Sequence, residues 1–177
     1  MHFTKVGAPT LVSDFNVRAL PVNSIVTIER LALHPEALQP LRHWFETEWP
    51  EYYGANGPGD AQSDLHSFAN HDRLPIGFVA FQNGDLCGVA VLKENSIASH
   101  SHLSPWAAAG LVKSSERRKG IGAQLIGALE TQARALGFSS IYCGTSTASS
   151  LLERCGWELM ENILHEGHPL GIYRKAL

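Results

Sequence analysis

Residues 111–129 read "LVKSSERRKGIGAQLIGAL", an apolar run joined to a helical pattern through a basic, glycine-bearing turn. Four of the chain's fourteen lysines and arginines, Lys113, Arg117, Arg118 and Lys119, crowd into that turn. Ile121, Leu125, Leu129 and Ala133 then recur every fourth residue, Ile126 and Leu136 widen the stripe, and Gly137 supplies a stop. The spacing predicts a helix over residues 120–136. Cations at a helix start oppose its dipole, at about 0.3–1 kcal/mol each when nothing anionic is near. The unpaired amides at that end attract phosphate, and glycines let it approach the backbone. Strand, basic turn, glycines and helix in this order therefore predict an anion site. The plainer alternative, a helix that merely begins with glycines and solvated cations, leaves the electrostatic cost unexplained.

Two familiar phosphate motifs do not fit. A P-loop needs G-x-x-x-x-G-K-[ST], which is absent, and a dinucleotide fingerprint needs a third glycine where Leu125 stands and an acid near Tyr142. What remains is R-x-x-G-x-G, with Arg117, Gly120 and Gly122, followed by Ala123.

Working outward, "WAAAGLV" (106–112) has strand length, and "SSIYCGT" (139–145) reads as the next strand. "SSLLERCGW" (149–157) reads as a short helix, and residues 157–177 as a closing hairpin turning at Glu166-Gly167. Toward the N-terminus, residues 76–92 form a hairpin pattern around Asn83-Gly84-Asp85. "NSIVTIERLAL" (23–33) is β-branched and strand-like, and residues 34–49 carry Leu38, Leu41, Trp44 and Phe45 at helical spacing. Between them and a short helix at 61–69, "WPEYYGANGPGDAQSD" (49–64) is expected to be a long aromatic, acidic loop without regular structure.

The 177 residues suffice for one domain with its own core, and residues 1–22 read as an arm ahead of a body at 23–177. A formal charge of −3 argues against a general nucleic-acid or anionic-membrane binder, so the basic cluster is local. No run approaches the ~18 apolar residues of a membrane span, and Lys5, Asp14 and Arg18 interrupt any signal-peptide core. Cys87, Cys143 and Cys155 have no C-x-x-C spacing and imply reduced thiols in a cytoplasmic setting.

In order and spacing, "PWAAAGLVK", the R-x-x-G-x-G turn with its helix, "IYCGT" and "LLERCGWE" resemble the GNAT N-acetyltransferase superfamily over residues 104–177. The resemblance implies a mixed α/β fold: a splayed, mostly antiparallel central sheet flanked by helices, with acetyl-CoA wedged where two adjacent strands part. It implies an enzyme moving an acetyl group to a primary amine, on a small molecule or a peptide, with no metal, and it allows a homodimer. It assigns cofactor contacts to Leu111, Val112 and Lys113, a diphosphate cradle to Arg117, Arg118, Lys119, Gly120, Ile121, Gly122 and Ala123, and further contacts to Ser149 and Leu152. The oxyanion donor becomes the amide of Leu111 or Val112.

An alkylamine is protonated at neutral pH, and freeing it costs about 4 kcal/mol. Candidate bases are Glu51 and Asp60 on the aromatic loop, and His100 and His102 ahead of the strand at 106–112. The sequence departs from the family at the general acid. Many relatives have "FYEKLGF" where this chain has "LLERCGW", so the expected tyrosine falls on Leu152. Protonating the leaving thiolate at pH 7 is worth only ~2 kcal/mol, and Ser149, Ser150, Tyr142 or water are the substitutes. Two alternatives stay open: another acyl-CoA donor, and an acyl-CoA-binding regulatory module with little turnover. "HEGH" (165–168) lacks helical H-E-x-x-H spacing, and no G-x-S-x-G elbow occurs.

Overall fold

Asn83 and Gly84 both adopt left-handed backbone, at φ 53° and 88°, the geometry of the two-residue turn that matches the twist of paired strands. They join β2 (Ile76–Gln82) to β3 (Asp85–Lys93). β1 (Val26–Arg30) adds antiparallel on one side of β2, and β4 (Trp106–Val112) adds antiparallel on β3. Beyond β4 come β5 (Ser140–Thr145), β6 (Glu158–His165) and β7 (His168–Ala176), giving one seven-stranded sheet in the order β1-β2-β3-β4-β5-β7-β6. Among the described strands the β4–β5 pair alone is parallel. The structure is a computed structural model that describes residues 25–177; the expected arm at 1–22 lies outside the described residues.

Helices cover the two faces. α4 (Ile121–Ala135) packs Ile121, Leu125, Leu129 and Ala133 against Phe78, Ala90, Leu92 and Ile141. On the opposite face, Leu41 and Phe45 of α1 (Leu38–Glu48) and Leu65 and Phe68 of α3 (Ala61–Phe68) pack on Val79, Val89, Val91 and Leu111. Alternate residues of β3 thus serve opposite cores, as a pleated strand buried on both faces must. α4 is braced by Glu130, which accepts from Trp157 Nε1 at 2.9 Å and Lys175 Nζ at 2.8 Å. The short α5 (Ser149–Arg154) closes the corner before β6.

Three expectations need correction. The strand at 23–33 ends at Arg30, and a 3₁₀ turn, Leu31–Leu33, follows. The helix at 34–49 begins with a separate 3₁₀ turn, Pro35–Ala37. The loop at 49–64 is not wholly irregular: Pro50, preset for a first helical turn, starts the one-turn α2 (Pro50–Tyr53).

Candidate active site

β4 and β5 share a single paired position, Trp106 with Tyr142, after which they part. The cause lies in β4. Its register against β3 shifts between Val89 and Val91, leaving an extra residue at Ala109-Gly110, and Ala109 takes φ 49°. A bulge bends and overtwists its strand, turning β4 away from β5. A Cβ built on Gly110 would meet nothing within 4 Å among the described residues. The bulge therefore borders open space.

The free backbone groups along this gap follow from one hydrogen bond. Lys113 N–H donates to Cys87 O of β3 at 2.9 Å. Successive residues of a strand point their amides to opposite sides, so Leu111 also turns its N–H to β3 while Val112 turns its N–H toward the gap. Leu111 is thereby corrected as an oxyanion donor: its amide is spent on the sheet and its side chain lies in the α1–α3 core. Val112 is the member of that pair with an amide to offer. Its carbonyl, on the same side, accepts from Arg117 Nε at 2.9 Å.

At the mouth of the gap the turn winds through two left-handed residues, Arg118 at φ 62° and Gly120 at φ 83°. Glycine tolerates this conformation, and changes of hand in a turn make amides converge on an anion. The first helical bond runs from Gln124 N–H to Gly120 O, leaving the amides of Ile121, Gly122 and Ala123 without an intrahelical acceptor. No side chain caps this end and no acid lies in its first turn. Two of the four cations already have carboxylate partners: Arg117 meets Glu48 at 3.5 Å, and Lys119 meets Glu116 at 2.9 Å. Lys119 in turn holds the Glu116 carboxyl below its ordinary range. Among the described residues Lys113 and Arg118 have no ion-pair partner. The arrangement fits a diphosphate: open glycine backbone, unclaimed helix amides and two uncommitted cations.

The other expected site residues separate. His100 is buried, its ring held between Ser99 Oγ and Glu161 Oε1, both at 2.9 Å, with the exposed His102 ring stacked at 5.9 Å. Glu51 is exposed on α2. Asp60 is the N-cap of α3 and accepts from Ser63 N–H at 3.0 Å, a structural duty. Ser149 opens α5 and is half-buried. Leu152 is corrected as a cofactor contact: it is 1% exposed, in the core with Ile121 and Trp157, and the residue that approaches Gly122 is Leu151, 3.0 Å from a Cβ built there. His165 and His168 face each other across the β6–β7 turn, and no metal-binding cluster occurs among the described residues. Nor is any described helix long and apolar enough to cross a membrane.

Sequence reading missed the polar ties that join separate elements. Tyr53 donates to Asp64 Oδ2 at 2.8 Å, and burial together with this carboxylate keeps the phenol protonated far above its usual range. Tyr52 stands edge-on to Tyr53 at 4.7 Å and close to Gly59, so the loop 54–60 wraps the aromatic pair. Glu48–Arg117 and Glu161–His100 join residues 69 and 61 positions apart; no local pattern announces them. The three cysteines are free thiols. Burial pushes Cys143 on β5 up to about 12 and raises Cys87 as well, so neither is a thiolate nucleophile at neutral pH.

A model described as "Acetyltransferase (GNAT) family" matches residues 38–157. Among solved structures, an aminoglycoside 6'-N-acetyltransferase complexed with coenzyme A superimposes with a TM-score of 0.69 at 16% identity, over 85% of this chain and 96% of that one. The aminoglycoside 6'-N-acetyltransferase from Enterococcus faecium gives 0.67 at 17% identity, over 86% and 96%. The yncA protein of Salmonella typhimurium, solved with acetyl-CoA, gives 0.65 at 16% identity, over 85% and 93%. Identities this low establish the shared fold. No curated protein matches the chain in sequence.

Proposed function

This chain belongs to the acetyltransferase (GNAT) family, and we propose that it moves the acetyl group of acetyl-CoA onto a primary amine by direct attack within a ternary complex. The observation that carries the reading is the β4–β5 gap, with the Val112 amide on its wall and the uncapped α4 terminus at its mouth. Acetyl-CoA supplies the acetyl group as a thioester, and the amine forms the new N–C bond as the thiolate departs. Arg118, Lys113 and the amides of Ile121, Gly122 and Ala123 hold the diphosphate. The Val112 amide donates to the carbonyl oxygen as negative charge develops there, a role worth about 2.7–4 kcal/mol for a well-placed donor. Burial raises the thiols of Cys143 and Cys87, which counts against either of these two as an acyl-carrying nucleophile.

The acceptor enters between α2 and the gap. Glu51 is an exposed carboxylate beside Tyr52, so a cationic acceptor gains charge attraction and about 0.5–2 kcal/mol of cation–π contact. Glu51→Gln is expected to raise the acceptor KM several-fold and leave CoA affinity unchanged; a fall in CoA affinity alone assigns this loop to the other ligand. His100 and His102 remain the candidate bases, with water completing the path. One observation favours the second reading, a regulatory acyl-CoA binder: the α5 position that would carry a phenol is a core leucine, Leu152. Thiol release from acetyl-CoA, measured with and without a panel of small amines and lysine-bearing peptides, separates the two. Amine-dependent release with the acetylated amine detected by mass supports transfer. Tight binding with no release for any amine supports the regulatory module.

A further inference from the structure

Between β3 and β4 the chain makes a 3₁₀ turn, Ala98–His100, whose middle residue is the exposed Ser99 and whose last is the buried His100. Both backbone groups of His100 are tied: its N–H donates to Ile97 O at 2.9 Å, and its carbonyl accepts from Leu103 N–H at 2.9 Å. Leu103 O in turn accepts from Trp106 Nε1 at 2.7 Å, at the start of β4. The ring of His100 therefore stands on a fixed backbone, with both of its nitrogens engaged within the protein.

The two partners decide where the ring carries its proton. An ionised carboxylate can only accept, so His100 Nε2 donates to Glu161 Oε1 of β6 at 2.9 Å. In the neutral ring Nδ1 is then the acceptor, and Ser99 Oγ, also at 2.9 Å, donates its proton to it. A hydroxyl that donates to a base, itself oriented by a third group, is the arrangement of an activated nucleophile, recognised by geometry and not by chain order. Here the nitrogens exchange their usual duties. The nucleophile is the residue before the base and reaches Nδ1, while the carboxylate, 61 positions on, takes Nε2. Holding the turn to β6 requires only the His100–Glu161 contact, and that role does not account for the Ser99 hydroxyl on Nδ1.

We propose that Ser99, His100 and Glu161 form a second reactive centre, which hydrolyses activated acyl esters without coenzyme A. Ser99 Oγ bonds to the ester carbonyl carbon as its proton passes to His100 Nδ1, and Glu161 holds the imidazolium. The bond from that carbon to the alcohol oxygen breaks, the proton returns from Nδ1 to the departing oxygen, and Ser99 is left acylated. Water then adds to the acyl carbon and gives a proton to Nδ1. The acid leaves, and Ser99 Oγ takes the proton back. Exposure sets the substrate class. At an exposed hydroxyl the oxyanion is met by water, whereas a preorganised donor supplies about 10²–10³ in rate. The centre therefore suits esters whose leaving group departs readily, such as phenyl esters, and not amides.

p-Nitrophenyl acetate, given to the full chain with no CoA present, tests this centre apart from acetyl transfer to amines. The wild type is expected to release p-nitrophenol over many turnovers and, when quenched early, to carry an acetyl group on the peptide that contains Ser99. Ser99→Ala, at an exposed position and with the His100–Glu161 contact kept, is expected to lose that acetyl group and to slow release at least tenfold with unchanged Tm. Glu161 is a positioning residue. Glu161→Gln keeps a hydrogen-bonding side chain but not the charge, and is expected to slow release several-fold while the acetyl group still maps to Ser99. Nitrogen-15 NMR of the His100 ring at pH 8.5 reads the tautomer, expected with the proton on Nε2 and none on Nδ1. Release by Ser99→Ala or Glu161→Gln at the wild-type rate, or a neutral ring with its proton on Nδ1, would each overturn the proposal. Acetyl groups found only on His102 or on lysines assign the ester reaction to other surface groups, and the proposal is then wrong.

Discussion

Leu152 and His34 show how single side chains divide between fold and function. The resemblance places a phenol at position 152, but the leucine there is 1% exposed and locked under α4 with Ile121 and Trp157. Leu152→Tyr is therefore expected to overpack the core by about 1–3 kcal/mol and to give no gain in turnover per folded molecule. A melting curve paired with kcat checks this, and a faster enzyme with unchanged Tm would place the residue in the cleft after all. His34 lies between Glu29 and Glu36, each at 2.8 Å, with its ring tilted on Phe81. Burial pulls its pKa down, but hydrogen bonds and charge from Glu36 and Glu29 outweigh it and the value is raised above 6.5. The folded state then holds this proton more tightly than the unfolded one. Its contribution is full below the unfolded value and disappears as pH rises through the folded value. His34→Ala should cost more stability at pH 5.5 than at pH 8.5, and denaturant titrations at the two pH values measure the difference. A larger cost at the alkaline pH would contradict the arrangement.

At the scale of elements, α4 was the most legible part of the sequence. Its four-residue stripe and closing glycine place it within a residue of the observed Ile121–Ala135, because a helix packed on a sheet must repeat its apolar face every turn. The strands at 106–112 and 139–145 and both hairpins were legible for the same kind of reason, apolar runs bounded by turn residues. What holds α4 at its angle was not legible. Glu130 reads as another solvated acid until Trp157 and Lys175, 27 and 45 residues away, close on its two oxygens. Removing one partner of a buried ion pair strands the other, at about 3 kcal/mol near the low end for such pairs, since Lys175 keeps some solvent contact. Glu130→Ala is expected to lower Tm by roughly 6–12 °C for a chain of this size. A change within about 1 °C would show that the brace is ornamental and that apolar packing alone fixes the helix.

At the scale of the whole molecule, the gap comes from a conflict between strand pairing and a bulge. The sequence signals the turn, through its cations and glycines, far better than the gap, because Ala109-Gly110 looks like ordinary strand until its register against β3 is known. For the same reason the choice between the Leu111 and Val112 amides needed the Lys113–Cys87 bond. In the proposed function this gap and turn together hold coenzyme A by its diphosphate. Titration calorimetry of the full chain with CoA and with pantetheine, repeated on Gly122→Asp, tests it most directly. Aspartate in the first helical turn suits the helix dipole, so the variant should stay folded, with only the tip of Leu151 giving way, while its charge repels phosphate. The predicted result is saturable CoA binding by the wild type, pantetheine weaker by a factor of ten or more, and a CoA affinity for Gly122→Asp reduced at least tenfold, about 1.4 kcal/mol. Equal affinity for CoA and pantetheine, or CoA binding indifferent to Gly122→Asp, would contradict it.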